Sequence, residues 1–160
     1  MKLIAAMTKD YVIGKDGSLP WYIKEDLKLF KELTKGNTVL MGRKTFDSIV
    51  DRLNKPLPQR QNIVISKHPM SYKAENLYAC RNISDAVEKA ESFGTDVFVI
   101  GGASLYKQTL PLVDEMHISW VKQYYKGDTF FPKFDEKDWN IVDAKEYEEF
   151  TWMHYQRNKS

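Results

Sequence analysis

Asp26 is the residue whose type and position most strongly suggest chemistry, because the stretch carrying it sorts every other charge to the opposite side. Ile23, Leu27, Phe30, Leu33 and Thr34 recur at helical spacing and share one arc at roughly 100° per residue. Lys24, Glu25, Lys28, Lys31, Glu32 and Lys35 share the other. Asp26 projects between Leu33 and Phe30, into the apolar arc, where an unpaired carboxylate is strongly disfavoured. Two readings stand. Asp26 caps a free backbone N–H in the first helical turn, or it faces a cleft and pairs with a ligand offering adjacent N–H donors, such as the amidine-like edge of a heterocycle. Partial burial would raise its pKa, as expected of a functional carboxylate.

Anion chemistry is suggested at the ends of three apolar runs. Thr38–Met41, Asn62–Ile65 and Asp96–Ile100 read as strands and are followed by Gly42-Arg43-Lys44-Thr45, Ser66-Lys67 and Gly101-Gly102-Ala103-Ser104-Leu105-Tyr106. In open α/β sheets ligands bind beyond the carboxyl ends of the strands. The Gly101-Gly102 turn either cradles a pyrophosphate or is a tight turn that allows close packing. Arg43, Lys44 and Lys67 with Ser66 suit the 2′-phosphate of NADP, and taken singly they read equally as solvated surface charge. Neither a Gly-x-Gly-x-x-Gly fingerprint nor a Walker-type Gly-Lys-Ser/Thr is present, so neither a Rossmann dehydrogenase nor a P-loop enzyme is indicated.

The elements that must position these groups alternate between strand and helix. Leu3–Met7 reads as a buried strand, and Thr8–Ser18, with two glycines and no helical period, as a long surface loop feeding into the Asp26 helix. Loops of that length inside a domain are usually functional lids or disordered. The Asp26 helix follows an extended approach through Pro20 and stops at Gly36. Gly42–Ile49 is a turn into a helix, Asn54–Gln61 a proline-bearing loop, and Tyr78–Cys80 a weaker strand. Ser84 to Ala90 starts a helix, with Ser84 at the cap and Val87 and Ala90 inward. After Pro111 the pattern changes. Met116, Ile118 and Trp120 alternate with His117, Ser119 and Val121, and Phe150–Arg157 is rich in β-forming residues. Strands with no helix between them predict an antiparallel hairpin closing an otherwise parallel sheet.

Composition bounds the rest. A chain of 160 residues, 42% hydrophobic and 13% aromatic, is expected to form one soluble globular domain over residues 1–160 with a sizeable core. The net charge of +2 comes from interspersed Lys and Glu, without the long basic run that marks nucleic-acid or membrane binding. The single cysteine, Cys80, excludes an internal disulfide and fits a reducing compartment. Three scattered histidines (His68, His117, His154) and no Cys pair argue against a transition-metal site. The apolar run at the N-terminus is too short for a signal peptide or a membrane span. A cytoplasmic monomer is the expectation.

Jointly the motifs carry a specific resemblance. Ile4-Ala5-Ala6, Val12-Ile13-Gly14, Leu19-Pro20-Trp21, Asp26-Leu27-x-x-Phe30, Met41-Gly42-Arg43-Lys44-Thr45, Pro56-Leu57-Pro58-x-Arg60, Ile100-Gly101-Gly102 and Gly127-Asp128-Thr129-x-Phe131-Pro132 stand in the order and spacing of bacterial dihydrofolate reductase. The resemblance covers nearly the whole chain. It implies a single α/β domain, with a mostly parallel twisted sheet of about eight strands, an antiparallel C-terminal hairpin and about four helices. It also implies reduction of 7,8-dihydrofolate to tetrahydrofolate, with hydride passing from NADPH to C6 of the pterin while N5 gains a proton.

By the same resemblance, Asp26 pairs with the 2-amino group and N3 of the pterin and is too far from N5 for direct transfer, so that a water carries the proton. Trp21, Leu19 and Ser119 join it at the catalytic end. Ser119 stands where the family usually has a threonine bonded to the carboxylate, and Leu19 where some relatives have methionine. Ile4, Ala6, Leu27, Phe30, Ile49, Leu57 and Ile100 wall the pterin and aminobenzoyl slot, for which core packing is an equally good explanation. Arg60 resembles the arginine that grips the glutamate α-carboxylate. Ala6, Ile13, Gly14 and Ser18 touch the nicotinamide side, and Gly101, Gly102, Ala103, Ser104, Leu105 and Tyr106 the pyrophosphate and ribose. Gly42, Arg43, Lys44, Thr45, Ser66 and Lys67 hold the adenosine half, with Arg81 alongside the adenine. The Thr8–Ser18 loop closes over the nicotinamide and excludes water. Val50–Lys55 is longer than in the shortest members, which leaves open whether Arg52 or Lys55 reaches the substrate. The rival readings are a non-catalytic pterin- or nucleotide-binding module and a related NADPH reductase of another heterocycle, such as a riboflavin precursor.

Overall fold

The computed structural model describes residues 1–159. In chain order the elements are β1 (Lys2–Thr8), β2 (Val12–Gly14), α1 (Lys24–Thr34), β3 (Thr38–Gly42), α2 (Arg43–Leu53), β4 (Gln61–Ile65), β5 (Leu77–Cys80), α3 (Ile83–Glu91), β6 (Val97–Val99), α4 (Ala103–Thr109), β7 (Glu115–Val121), β8 (Thr129–Phe130), β9 (Trp139–Glu146) and β10 (Phe150–Arg157). Eight strands form one sheet in the order β5-β4-β3-β6-β1-β7-β10-β9, and β2 pairs with β8 in a second, two-stranded sheet. The strands from β5 to β7 run parallel; β10 is antiparallel to β7 and β9 antiparallel to β10. The α/β architecture with an antiparallel C-terminal end is as expected from the sequence.

Helices cover both faces of the sheet, which is why its central strands are apolar on both sides. On one face Leu3, Leu40, Ile63, Val99 and Ile118 pack with Ala86 and Ala90 of α3 and Leu105 and Tyr106 of α4. On the other, Ile4, Val39, Met41, Val64 and Phe98 meet Phe46 and Ile49 of α2 and Phe30 and Leu33 of α1. Beside them Trp21, Ile23, Val121 and Phe150 pack with Ala6, Leu29 and Trp152. Helix α1 keeps the predicted sorting, since all six charged positions of the polar arc are exposed.

Two expectations are corrected and one is extended. The Thr8–Ser18 segment is not loop throughout. Val12 pairs with Phe130 and Gly14 with Thr129, a contact across more than a hundred residues that no local period could signal. The α3 cap is Asn82, not Ser84. Asn82 Oδ1 accepts the Asp85 N–H at 2.8 Å, and Ser84 lies inside the helix. The expected antiparallel pairing of β7 with β10 holds, but β10 has a second partner that was not expected, Trp139–Glu146, whose residues after Trp139 are all exposed. An edge strand with both faces wet shows little alternation to read.

Candidate active site

Asp26 sits in the first turn of α1, but its carboxylate is not a cap. The N-cap is Ile23, which makes no side-chain cap bond, and Asp26 instead points at the sheet. There Ser119 on β7 donates its hydroxyl to Asp26 Oδ1 at 2.6 Å, leaving Oδ2 without a protein partner among the described residues. Burial pushes the carboxyl above the ordinary carboxylate range, and the Ser119 hydrogen bond opposes that rise by stabilising the charged form. The capping reading is therefore corrected: the carboxylate is turned to the sheet and bonded to Ser119.

The phenol of Tyr106 approaches from below the sheet. It is buried and donates to the Ile4 carbonyl at 2.7 Å. Burial first, and the Asp26 charge second, hold the phenol above its usual pKa, so it stays a donor at any working pH. Trp21 packs on Tyr125 with ring centres 5.3 Å apart, and its buried Nε1 has no partner among the described residues. Leu19, on the approach to α1, is 45% exposed. Its neighbours Gly17 and Ser18 are exposed too.

Around Asp26 the apolar residues Ala6, Leu27, Phe30 and Ile100 are only half-buried, whereas Ile4, Ile49 and Leu57 behind them are buried. Partly exposed apolar side chains converging on a desolvated carboxylate make a wall suited to a flat heterocycle. Arg60 is 6% exposed and held in place from two directions. Its Nε donates to Pro58 O at 2.9 Å and its Nη1 to Thr34 Oγ1 at 3.1 Å, so Nη2 is left for an incoming acceptor. Asn76 Nδ2 donates to the carbonyls of Leu57 and Arg60, both at 3.0 Å, and fixes the loop that carries them. Arg52 and Lys55 are exposed.

The three strand ends singled out in the sequence are brought side by side, because β4, β3 and β6 are neighbours. The Gly42 N–H donates to Gly101 O at 2.8 Å, joining the ends of β3 and β6. Gly101 has φ +121°, a conformation suited to glycine, and a Cβ there would meet the Tyr106 hydroxyl at 3.4 Å. A Cβ on Gly102 would face Thr45 Oγ1 at 3.7 Å. Arg43 Nη1 lies 3.5 Å from Ser66 Oγ, and Arg43 Nε also pairs with Asp47 at 3.1 Å. Lys44, Lys67, Arg81 and Ser104 are exposed around this seam, Ala103 is half-buried, and Leu105 is buried. Ile13 and Gly14 lie on β2.

Two features carry more than the sequence reading gave them. Asp128 Oδ2 accepts the Asp16 N–H at 3.0 Å, and Gly127 packs so closely that a Cβ would lie 2.2 Å from Val12 Cγ1 and 2.6 Å from Gly14 O. The Gly127-Asp128 motif was the available signal for this latch on the Thr8–Ser18 segment. The Thr34–Arg60 bond had none. A concavity of about 340 Å³ lined by Met70, Tyr72, Lys73, Ala74, Leu77 and Ala79 opens at the β5 edge and includes none of the residues gathered around Asp26. A hollow without a convergent set of polar groups is a poor candidate for the chemistry.

Comparison with known proteins gives one answer. The family profile described as Dihydrofolate reductase matches residues 1–158. Dihydrofolate reductase of Bacillus subtilis (strain 168) is 37% identical over 146 residues, covering 91% of this chain and 83% of the relative. That of Staphylococcus aureus (strain Mu50 / ATCC 700699) is 34% identical over 166 residues, covering 99% of each. Dihydrofolate reductase from Enterococcus faecalis, solved in complex with NADP(H) and RAB-propyl, superposes with a TM-score of 0.84 at 33% identity, covering 99% of this chain and 96% of that one.

Proposed function

The chain belongs to the dihydrofolate reductase family, and we propose that its reaction runs on the Asp26–Ser119 pair, with Trp21 and Tyr106 as the supporting donors. The protein is an NADPH-dependent oxidoreductase that reduces dihydrofolate to tetrahydrofolate. The observation carrying the residue assignment is the single carboxylate that is desolvated, bonded through one oxygen to Ser119 and open at the other.

Asp26 Oδ2 accepts from the 2-amino group and N3 of the pterin, which fixes the ring and favours a proton at N5. Ser119 keeps the carboxylate oriented. Trp21 Nε1, a buried donor with no acceptor among the described residues, orients the water that brings the proton. Half-buried Ala6, Leu27, Phe30 and Ile100 wall the ring, and Ile4, Ile49 and Leu57 back them. Arg60 takes the glutamate α-carboxylate through Nη2. Excluding water strengthens each of these polar contacts.

NADPH supplies the hydride. The seam fits it, because the glycine backbones of β3 and β6 approach closely and Arg43 stands beside Ser66. Gly101, Gly102, Ala103, Ser104, Leu105 and Tyr106 take the pyrophosphate and ribose. Gly42, Arg43, Lys44, Thr45, Ser66, Lys67 and Arg81 take the adenosine half, and Ala6, Ile13, Gly14 and Ser18 the nicotinamide. We place the protein in the cytoplasm as a monomer of one domain, 1–160. No described helix is long and apolar enough to cross a membrane.

Consumption of NADPH absorbance on adding dihydrofolate tests the activity, and well-folded protein that consumes none refutes it. Replacing Arg43 and Lys67 together with alanine is expected to weaken NADPH far more than NADH. Equal losses would remove the 2′-phosphate assignment.

A further inference from the structure

Under α1 the sheet carries a titratable cluster that the reduction does not use. His117 on β7 lies opposite Ile4 on β1 and His154 on β10. Two residues along and on the same face, Ser119 lies opposite Ala6 and Trp152. The His117 and His154 rings stack at 4.2 Å and 15°. Trp152 stacks on His117 at 5.8 Å, and Phe98 flanks it at 6.0 Å. The charged neighbours come from every adjoining element. Glu115 on β7 lies 2.6 Å from His154 Nε2. Lys2 on β1 bridges Glu115 at 3.6 Å and Asp96, just before β6, at 3.3 Å. Asp143 on β9 is the cross-strand partner of His154, and Asp26 on α1 is reached through Ser119. His117 is 5% exposed, and its Nδ1 and the Nε1 of Trp152 are both buried without a partner among the described residues.

Unprotonated, the two imidazoles are flat rings that pack well. A proton on His117 has no acceptor at Nδ1 among the described residues, and a cationic ring stacked face to face on a second imidazole at 4.2 Å is poorly screened there. Burial, then His154, then Lys2 disfavour the charge, against the pull of Glu115 and Asp96, and the imidazole pKa falls to about 4. The direct relief is to part β10 from β7, which also withdraws Trp152 from its place opposite Ser119.

We propose that the His117–His154 stack is an acid-sensitive latch on the β7–β10 seam, which holds Ser119 against Asp26 while His117 is unprotonated and releases it when His117 takes a proton. Its effect on turnover rests on the Asp26 reading above; the opening of the seam does not. Because the folded-state value lies below the ordinary 6.5, the stabilisation is complete above pH 6.5 and is lost as pH falls toward about 4.

Backbone hydrogen exchange of the full chain by NMR, corrected for intrinsic rates, tests this. Below pH 6.5, opening of the β7 and β10 amides is expected to increase by up to about tenfold per pH unit, with β3 and β4 lagging. His117→Phe keeps a flat ring without the proton site, and should abolish the excess; Asp26→Asn should retain it. Should His117→Phe fail to fold, the wild-type imidazole resonance decides, since its protonation must coincide with a shift of the Ser119 amide. Opening indifferent to pH, the same acid response in His117→Phe, loss of that response in Asp26→Asn, or imidazole titration that leaves Ser119 undisturbed would each overturn the latch.

Discussion

The two faces of the sheet treat buried polar groups unequally. On the α3–α4 face most are paired: Trp120 Nε1 donates to Tyr155 Oη at 2.9 Å, Tyr155 Oη to Met153 Sδ at 3.3 Å, and Thr109 Oγ1 to Leu105 O at 2.7 Å, while Gln61 Oε1 is buried without a partner among the described residues. On the α1 side Trp21 Nε1, Trp152 Nε1 and His117 Nδ1 are buried without partners among the described residues, and Asp26 is desolvated with one hydroxyl in support. An unmet buried polar group costs about 1–3 kcal/mol. A fold that gathers three such atoms and a desolvated carboxylate on one side, against one on the other, is giving up stability there for binding and proton handling.

That contrast is open to test, most severely at Asp26. Asp26→Asn is expected to lower turnover near neutral pH by about 10²–10⁴-fold, read by NADPH consumption, while raising the melting temperature. The sign follows from the raised carboxyl pKa. The fold favours the protonated acid, so its contribution is present at low pH and is lost as pH rises through the folded-state value. Asparagine removes that loss. A variant that loses both activity and stability would make the two faces alike.

Gly127→Val comes next. With a Cβ 2.2 Å from Val12 Cγ1, β2 and β8 must part, and a displacement of the active-site segment by about an ångström is expected to slow hydride transfer by about 10²-fold. Single-turnover rates check it, and an unchanged rate would detach the latch from catalysis. Ser119→Ala removes the bond that favours the ionised carboxylate. The Asp26 pKa should then rise further, seen by carbon NMR of the carboxyl, with turnover falling about tenfold, as loss of a hydrogen bond to a charged group implies. The smallest effect on activity belongs to the other face. Trp120→Phe breaks the bond to Tyr155 and is expected to cost about 1 kcal/mol in denaturant unfolding, with turnover untouched.

Much of this was legible in the sequence where one residue broke a local rule. Asp26 could be singled out because helical period places it between Leu33 and Phe30, and the strand ends at Gly42, Ser66 and Gly101 could be grouped because apolar runs stop there. What period cannot express is pairing at a distance. The β2–β8 ladder, the Arg60–Thr34 bond and the exposed strand β9 depend on tertiary partners. His117 and Ser119 alternate with apolar Met116 and Ile118, as in a half-solvated strand, yet α1 covers that face and buries them.

The pH dependence of hydride transfer in Asp26→Asn tests the central claim most directly. If Asp26 holds the pterin and favours its protonation, the variant's rate must climb steadily as pH falls and the substrate takes its proton from solution. A rate that matches the wild type near neutrality, or that stays low and flat into acid, would contradict it.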